Sequence, residues 1–350
     1  MRVLLLGSQL VFLMVLGYWL YLFPIQMLLY WGVGFRIATL MLVIASVLIA
    51  TCLMIYFRTK TSRIWLRLFV NFGFGACYFT SLSTSLIVLL NYMISITDVI
   101  KGGLLCVTTS LLISYAMFQG RTIRHKTVHF RSNKITCSRH IVFISDVHLG
   151  TQSVAYLGRL IKKIQDANPD FVLIGGDLID GSHIVLDDLI QFKDLTMPVY
   201  FVTGNHDYYL KHSATILANL KEVGITWLDN EVVDMDGIRL IGVNDNQSLK
   251  EKEAVVSRYY NNDFYNVAIV HKPSLFDRLT NKPDLMLSGH THNGQIFPFG
   301  WFVRLYFSKP YGLYQSGESY FYVSSGVGTW GNRMRLGSVN EIVHLNLSSI

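Results

Sequence analysis

His290 and His292 stand one residue apart in Ser288-Gly-His-Thr-His-Asn-Gly-Gln295, directly after the apolar run ending at Leu287. In an extended segment residues two apart point to the same side, so both imidazoles can face one site. Two imidazoles suit a borderline divalent metal, but no common metal is held by two histidines alone, and the remaining ligands must come from upstream. The same spacing recurs at Asp146 and His148, a carboxylate beside an imidazole. Asp177 and Asp180 follow Gly175-Gly176, the triplet Asn205-His206-Asp207 follows Gly204, and His271 precedes Lys272-Pro273.

Each of these groups stands just beyond a short apolar run: Ile141 to Ile144, Phe171 to Ile174, Val199 to Val202, Val267 to Val270, and the run ending at Leu287. Such runs read as strands buried on both faces, and ligand sites collect at the carboxyl ends of strands in α/β sheets. Leu157, Leu160, Ile161 and Ile164 recur at helical spacing and predict a helix over Ser153 to Asp166. The resulting β-α-β-α-β rhythm, joined by right-handed crossovers, carries distant strand ends to one edge. Further on, Ile216 to Val223 reads as a helix and Thr226 to Leu228 as a strand. Glu231 to Gly242 reads as a hairpin turned at Asp236-Gly237, and Lys250 to Tyr260 as an exposed helix. The expected class is α/β, a two-sheet β-sandwich flanked by helices.

With these residues in place, Asp146-x-His148, Gly176-Asp177-x-x-Asp180, Gly204-Asn205-His206-Asp207, His271 and Gly289-His290-x-His292 resemble the five ordered blocks of the calcineurin-like metallophosphoesterase superfamily. The last block, with Tyr322 to Thr329, resembles its YaeI/YkuE-type branch, whose members are often membrane-tethered, and the likeness covers about residues 138 to 350. The resemblance implies two divalent ions. Asp146, His148, Asp177 and His292 would hold the first; Asp177, Asn205, His271 and His290 would hold the second, with Asp177 bridging. A carboxylate shared by two cations about 4 Å apart offsets their repulsion, and a bridging water there becomes hydroxide near neutral pH and can attack a phosphoryl group. Oxygen and nitrogen ligands without thiolate favour Mn, Fe or Zn, and nothing in the sequence chooses among the three. In this scheme His206 holds no metal and is expected to stabilise or protonate the leaving oxygen, with Asp207 orienting its ring. Asp180 either contacts the ligand set from outside or begins the next loop.

The charge of the chain is split. Residues 1 to 137 hold 12 Lys+Arg and one acid, Asp98; the remainder holds 18 Lys+Arg and 22 Asp+Glu, so the parts carry +11 and −4. The basic balance flanks apolar runs and forms no nucleic-acid-binding face. Val3 to Phe35, Ile37 to Phe57, Leu68 to Thr97 and Gly102 to Gly120 are uncharged. A bilayer core takes about 20 helical residues to cross, so four spans are expected near 3–23, 37–57, 69–92 and 102–119. The organisation expected is a transmembrane region over 1–120, a basic linker over 121–139 with a short strand at Thr127 to Phe130, and a metallophosphoesterase domain over 140–350.

Arg58, Lys60, Arg63 and Arg67 follow the second span, and Arg121, Arg124, Lys126, Arg131 and Lys134 follow the fourth. Short basic loops stay in the cytoplasm, so a multi-pass protein of the cell membrane with a cytoplasmic catalytic domain is expected. Cys52, Cys77 and Cys106 lie in the spans and Cys137 before the domain, a usage that suits a reducing compartment. His125, His129 and His140 read as polar linker residues, and His183, His212 and His344 as surface or packing residues.

Ile296 to Phe307 is dense in aromatics and holds one charge, Arg304. It reads either as an interfacial segment that admits a lipid phosphate or as a stretch packed in the protein's own core or spans. Taken together, the sequence leads to a membrane-anchored dinuclear-metal phosphoesterase cleaving a phosphomonoester, phosphodiester or pyrophosphate bond, with lipid-linked phosphates among its substrates and membrane lipids among its partners. The alternative is a transporter or membrane sensor carrying a regulatory domain of this type; spans without central charges argue against an ion path.

Overall fold

The computed structural model describes residues 2–59, 64–181, 183–210 and 212–350. Lys60 and Arg63, part of the orientation argument, lie outside the described residues. The chain divides into two compact units, Met1–Phe118 and Gln119–Ile350.

Among the described residues, four helices are long and apolar enough to cross a membrane: Gly7–Val33, Thr39–Tyr56, Leu68–Met93 and Asp98–Arg121. The first runs ten residues beyond the expected 23, because Pro24 stands at the start of a helical segment, where its missing N–H costs nothing. A wide π-type turn at Tyr18–Leu22 loosens the helix there. The Ser81 hydroxyl donates to the carbonyls of Trp19 (2.7 Å) and Leu20 (3.0 Å), a hydroxyl-to-backbone contact between helices suited to an apolar setting.

The second unit is a pair of six-stranded sheets. The first contains β1 (Ile123–Arg131), β2 (Arg139–Ile144), β3 (Phe171–Gly175), β4 (Val199–Val202), β5 (Ile225–Trp227) and β12 (Asn340–Ser348). Its order is β1-β12-β2-β3-β4-β5, with β2 to β5 parallel and β12 antiparallel to β2. The second contains β6 (Val232–Met235), β7 (Ile238–Val243), β8 (Tyr265–Val270), β9 (Leu285–Ser288), β10 (Gly312–Ser316) and β11 (Ser319–Val323). Its order is β10-β11-β9-β8-β7-β6; β7, β8, β9 and β11 run parallel and both edge strands antiparallel.

Strand alternation builds the layers. Ile141, Phe143, Phe171 and Leu173 face Val267, Ile269, Leu285 and Leu287 between the sheets. Their neighbours Val142, Ile144, Val172 and Ile174 pack outward on Leu157, Leu160, Ile161 and Ile164 of the helix Val154–Ala167. That helix starts where Ser153 accepts the Tyr156 N–H and stops at the left-handed Asn168. On the other side Ile241, Val243, Ala268 and Val270 pack against Val256, Leu275 and Phe276. Because both faces are covered, the central strands show no polar alternation, and each buried Leu or Ile contributes about 1.5–3 kcal/mol.

Within the basic linker expected over 121–139, the short strand expected at Thr127 to Phe130 is part of a longer edge strand, β1. All nine residues of β1 pair in parallel with β12, and Val128 and Phe130 enter the core between the sheets. The polar composition that reads as linker is that of an edge strand, where only one face is covered. His125 and His140, read as linker residues, lie on β1 and β2, where their rings stack on His344 of β12 at 5.1 and 5.2 Å.

Candidate metal centre

The ends of β2, β3, β4, β8 and β9 deliver Asp146, Asp177, Asn205, His271 and His290 in turn. The loops after β2 and β3 are tied side by side: the N–H groups of Asp146, His148 and Leu149 donate to the carbonyls of Gly176, Asp177 and Leu178 at 2.9–3.0 Å. Val147 and Leu149 fall into the helix-side core, while Asp146 and His148 meet groups from other loops. The expected plain extended geometry is not what achieves this. Asp146 (φ 54°), His148 (51°), Asp177 (52°), His290 (73°) and His292 (49°) all occupy the left-handed region. Non-glycine residues are rare there, each costs of order 1–3 kcal/mol, and such strain collects at functional sites. At Gly204 and Gly289 a Cβ would run into the carboxylates of Asp177 and Asp146 respectively, so these loops need glycine to come close.

Around the Asp177 carboxylate the side chains expected to hold metal form two groups, and His206 makes a third with His148 and Asp177. In one, His148 Nε2 lies 3.0 Å from His292 Nε2, 3.7 Å from Asp177 Oδ2 and 3.9 Å from Asp146 Oδ1, with His292 Nε2 3.5 Å from Asp146. In the other, His271 Nε2 lies 3.2 Å from both Asp177 Oδ2 and His290 Nδ1. Asp146, His148 and His292, and likewise Asp177, His271 and His290, can each bring their ligand atoms within 4.8 Å of one another. His290 and His292 therefore serve different groups, because the tight turn between them splays their rings.

Second partners fix the tautomers. His148 Nδ1–H donates to Asp180 Oδ2 (3.0 Å) and His271 Nδ1–H to the Gly175 carbonyl (2.8 Å), leaving each Nε2 to face the carboxylates. Asp180 is therefore a contact from outside the set, and it also accepts the Thr151 hydroxyl at 2.9 Å. The Asp177 Oδ1 accepts the His206 N–H at 2.8 Å.

Asp207 departs from expectation. Its carboxylate does not orient the His206 ring; it accepts three backbone N–H groups, from Asp177 (2.9 Å), Gly204 (2.8 Å) and Ile179 (3.0 Å). The residue is buried between two tight loops whose amides have no sheet partner, and a carboxylate is the acceptor at hand. Asp207 clamps the β3 and β4 loops together. The His206 ring instead stands edge-on to His148 at 4.8 Å and 6.0 Å from the Trp330 ring.

Two further residues escape the sequence motifs. The buried Arg335 guanidinium donates to the carbonyls of Ser325 (2.6 Å), Gly328 (2.6 Å) and His292 (3.1 Å), and touches His292 Nδ1 at 3.3 Å. Glu341 accepts from Tyr322, Ser324 and the Ser325 N–H, each at 3.1 Å. Together they fasten the segment after β11 under the His292 loop. No motif marks either one, since both work through contacts made only in the fold.

The electrostatics draw a positive charge into the centre. Burial raises Asp146, and the charge of Asp177 adds to that. Burial would raise Asp177 too, but His271 pulls it well below the usual range. For His271, burial is overcome by Asp177 and Asp146, which raise it to about 10. Burial and the neighbouring His271 lower His290 to about 3. One of these imidazoles thus takes a proton to balance two buried carboxylates, a place a divalent cation can fill. The donor set fits such an ion: imidazole nitrogens 3.0 and 3.2 Å apart, two carboxylates, and a buried Asn205 Oδ1 with no hydrogen-bond partner among the described residues.

The profile of the calcineurin-like phosphoesterase family matches residues 139–294. An uncharacterised metallophosphoesterase of Campylobacter jejuni is 33% identical over 256 residues, covering 69% of this chain and 68% of that protein. The chain belongs to the calcineurin-like phosphoesterases. Within the family it is 34% identical to an uncharacterised metallophosphoesterase of Helicobacter pylori over 61% of each chain, and so spans less than two thirds of that relative. It is 35% identical to a bovine transmembrane protein with metallophosphoesterase domain, over 61% of this chain and 53% of that one. With four apolar helices ahead of its metallophosphoesterase domain, this member is a membrane protein.

Proposed function

We propose that this phosphoesterase hydrolyses a phosphomonoester, phosphodiester or pyrophosphate bond at a centre of two divalent cations. Asp146, His148, Asp177 and His292 are assigned to one cation, and Asp177, Asn205, His271 and His290 to the other. The observation that carries this reading is the position of the Asp177 carboxylate, with His148 on one side and His271 on the other, at 3.7 and 3.2 Å. When bound, the cations would lower the pKa of a water and offset phosphoryl charge. His271 and His148, held by Gly175 and Asp180, keep their Nε2 atoms aimed inward. His206 is assigned to the leaving oxygen: among the described residues no hydrogen bond occupies its ring nitrogens, and its ring borders the His148 group. Asp207 and Arg335 hold the loops that carry these side chains.

The membrane region is read as a multi-pass anchor that keeps the catalytic domain on the cytoplasmic side, which favours a phosphate carried by a lipid. The test is chelation of the full-length protein in detergent, followed by add-back of Mn, Fe or Zn. Activity is then assayed against monoester, diester and pyrophosphate substrates. Activity lost on chelation, restored by one ion and absent from Asp177→Asn is expected. Full activity after stripping would overturn the reading.

A further inference from the structure

The segment immediately after the His292 loop leaves its apolar side chains in the open. In the eight-residue helix Phe299–Tyr306 none is buried: Trp301 is 60% exposed, Phe302 61%, Leu305 86% and Tyr306 82%. A run of exposed apolar side chains on one short helix marks a contact with another molecule or a membrane. The patch also continues into the candidate metal centre. Phe297 and Trp301 rings lie 5.0 Å apart, Tyr306 and Phe307 rings 4.8 Å, and the Phe307 ring stands edge-on to His290 at 5.7 Å. A further exposed ring, Trp330, lies 6.0 Å from the His206 ring and is held by Gln295, which exchanges hydrogen bonds with its backbone at 2.8 and 2.9 Å. Exposed aromatics therefore reach both the His290 and the His206 sides of the centre.

We infer that this aromatic rim is a membrane-docking surface, and that its occupant is a bilayer whose phosphate-bearing head groups are the substrate. Two observations select a bilayer over a protein. The side chains are those that settle at a membrane interface, Trp, Tyr and Phe with a Leu at the tip. Ile296 to Phe307 contains no acid, and its single charge is the exposed Arg304, a match for anionic head groups. In addition the same chain carries four helices suited to crossing a membrane, and only Thr122 separates the last of them from β1. The inference rests on the phosphoesterase reading and narrows its substrate to a phosphate at a lipid surface.

The test uses the full-length protein in phosphatidylcholine proteoliposomes containing phosphatidic acid or phosphatidylglycerol. Wild type is compared with the triple variant W301S/F302S/L305S and the single variant L305S, and each is also assayed on a water-soluble aryl phosphate ester. Trp301 depth is read as the part of the fluorescence quenching by chain-brominated lipid that disappears in W301F. Expected are a tenfold or greater fall in lipid hydrolysis by the triple variant, a smaller fall in L305S, under twofold change on the soluble ester, and a quenched Trp301 component. Equal lipid hydrolysis by all three proteins, or an unquenched Trp301, overturns the inference. So does parallel loss of both activities, or a change of oligomeric state in the triple variant that assigns the rim to a second copy. If the wild type cleaves no phosphate ester at all, the phosphoesterase reading has failed, and the quenching still decides whether the rim enters the bilayer.

Discussion

His206 and Asp180 flank His148 on different sides, and their expected effects on metal and turnover separate. His206 contributes its N–H to Asp177 and its ring to the open side of the centre. Replacing it with Ala or Gln removes the ring and keeps the N–H. Turnover should fall about 100 to 10,000-fold, the range for a lost proton-transfer group, while bound metal measured by mass spectrometry stays near wild type. Metal lost together with activity would make His206 a ligand, a role its place beside His148 and Asp177 allows. Asp180 holds the far nitrogen of His148 at 3.0 Å, and among the described residues it makes no hydrogen bond to another member of either group. Asp180→Ala should therefore weaken metal binding about 10 to 100-fold, with activity recovering at high metal concentration. Activity that stays low in saturating metal would place Asp180 nearer the substrate.

At the scale of elements, how much the sequence discloses depends on what surrounds each strand. The central strands were legible because both faces are buried, so apolar runs ended where the backbone left the sheet and the polar ligands began. The helix Val154–Ala167 and the turn between β6 and β7 were legible from helical spacing and from Asp236-Gly237. Strand β1 was legible only over Thr127 to Phe130, because the rest of an edge strand with one covered face has the composition of a linker. Asp207, Arg335 and Glu341 were not legible in their roles either, since their partners are backbone and side-chain groups brought near only by folding. The same edge places three imidazoles in a row. His344 lies 2.8 Å from the His125 ring nitrogen and 2.9 Å from that of His140, with Lys163 nearby. Burial and then the two neighbouring histidines lower His344 to about 4. Between its ordinary 6.5 and about 4 the unfolded chain binds a proton that the folded one refuses. Stability is thus fully present above that window and falls as the pH drops through it. His344→Gln should flatten the dependence of melting temperature between pH 7 and pH 4 relative to wild type. An unchanged slope would remove His344 as its source.

For the whole molecule, the proposed function makes the orientation of the apolar helices decide which pool of phosphate esters the candidate metal centre can meet. Cations follow the second and fourth spans, Arg58 and Arg67 at the first of these places and Arg121, Arg124, Lys126, Arg131 and Lys134 at the second. Acids are scarce through this half of the chain, and Lys or Arg in short connections governs topology. Both basic segments on one side imply an even number of crossings between them, and two helices of suitable length, Leu68–Met93 and Asp98–Arg121, satisfy that count. Translocating the segment from Arg121 to Lys134 would mean moving five cations through hydrocarbon, each unfavourable by about 2.5–3.5 kcal/mol at the bilayer centre. In the proposed orientation Asp98 and Lys101, which pair at 2.6 Å just inside the fourth helix, fall on the opposite side, where a pair of opposite sign adds no bias. A reporter fused after Ile350 should therefore be active only in its cytoplasmic form. Replacing Arg121, Arg124, Lys126, Arg131 and Lys134 with Gln should shift part of the population outward. A wild-type reporter that scores as extracytoplasmic would reverse the anchor and turn the metal centre towards substrates outside the cell.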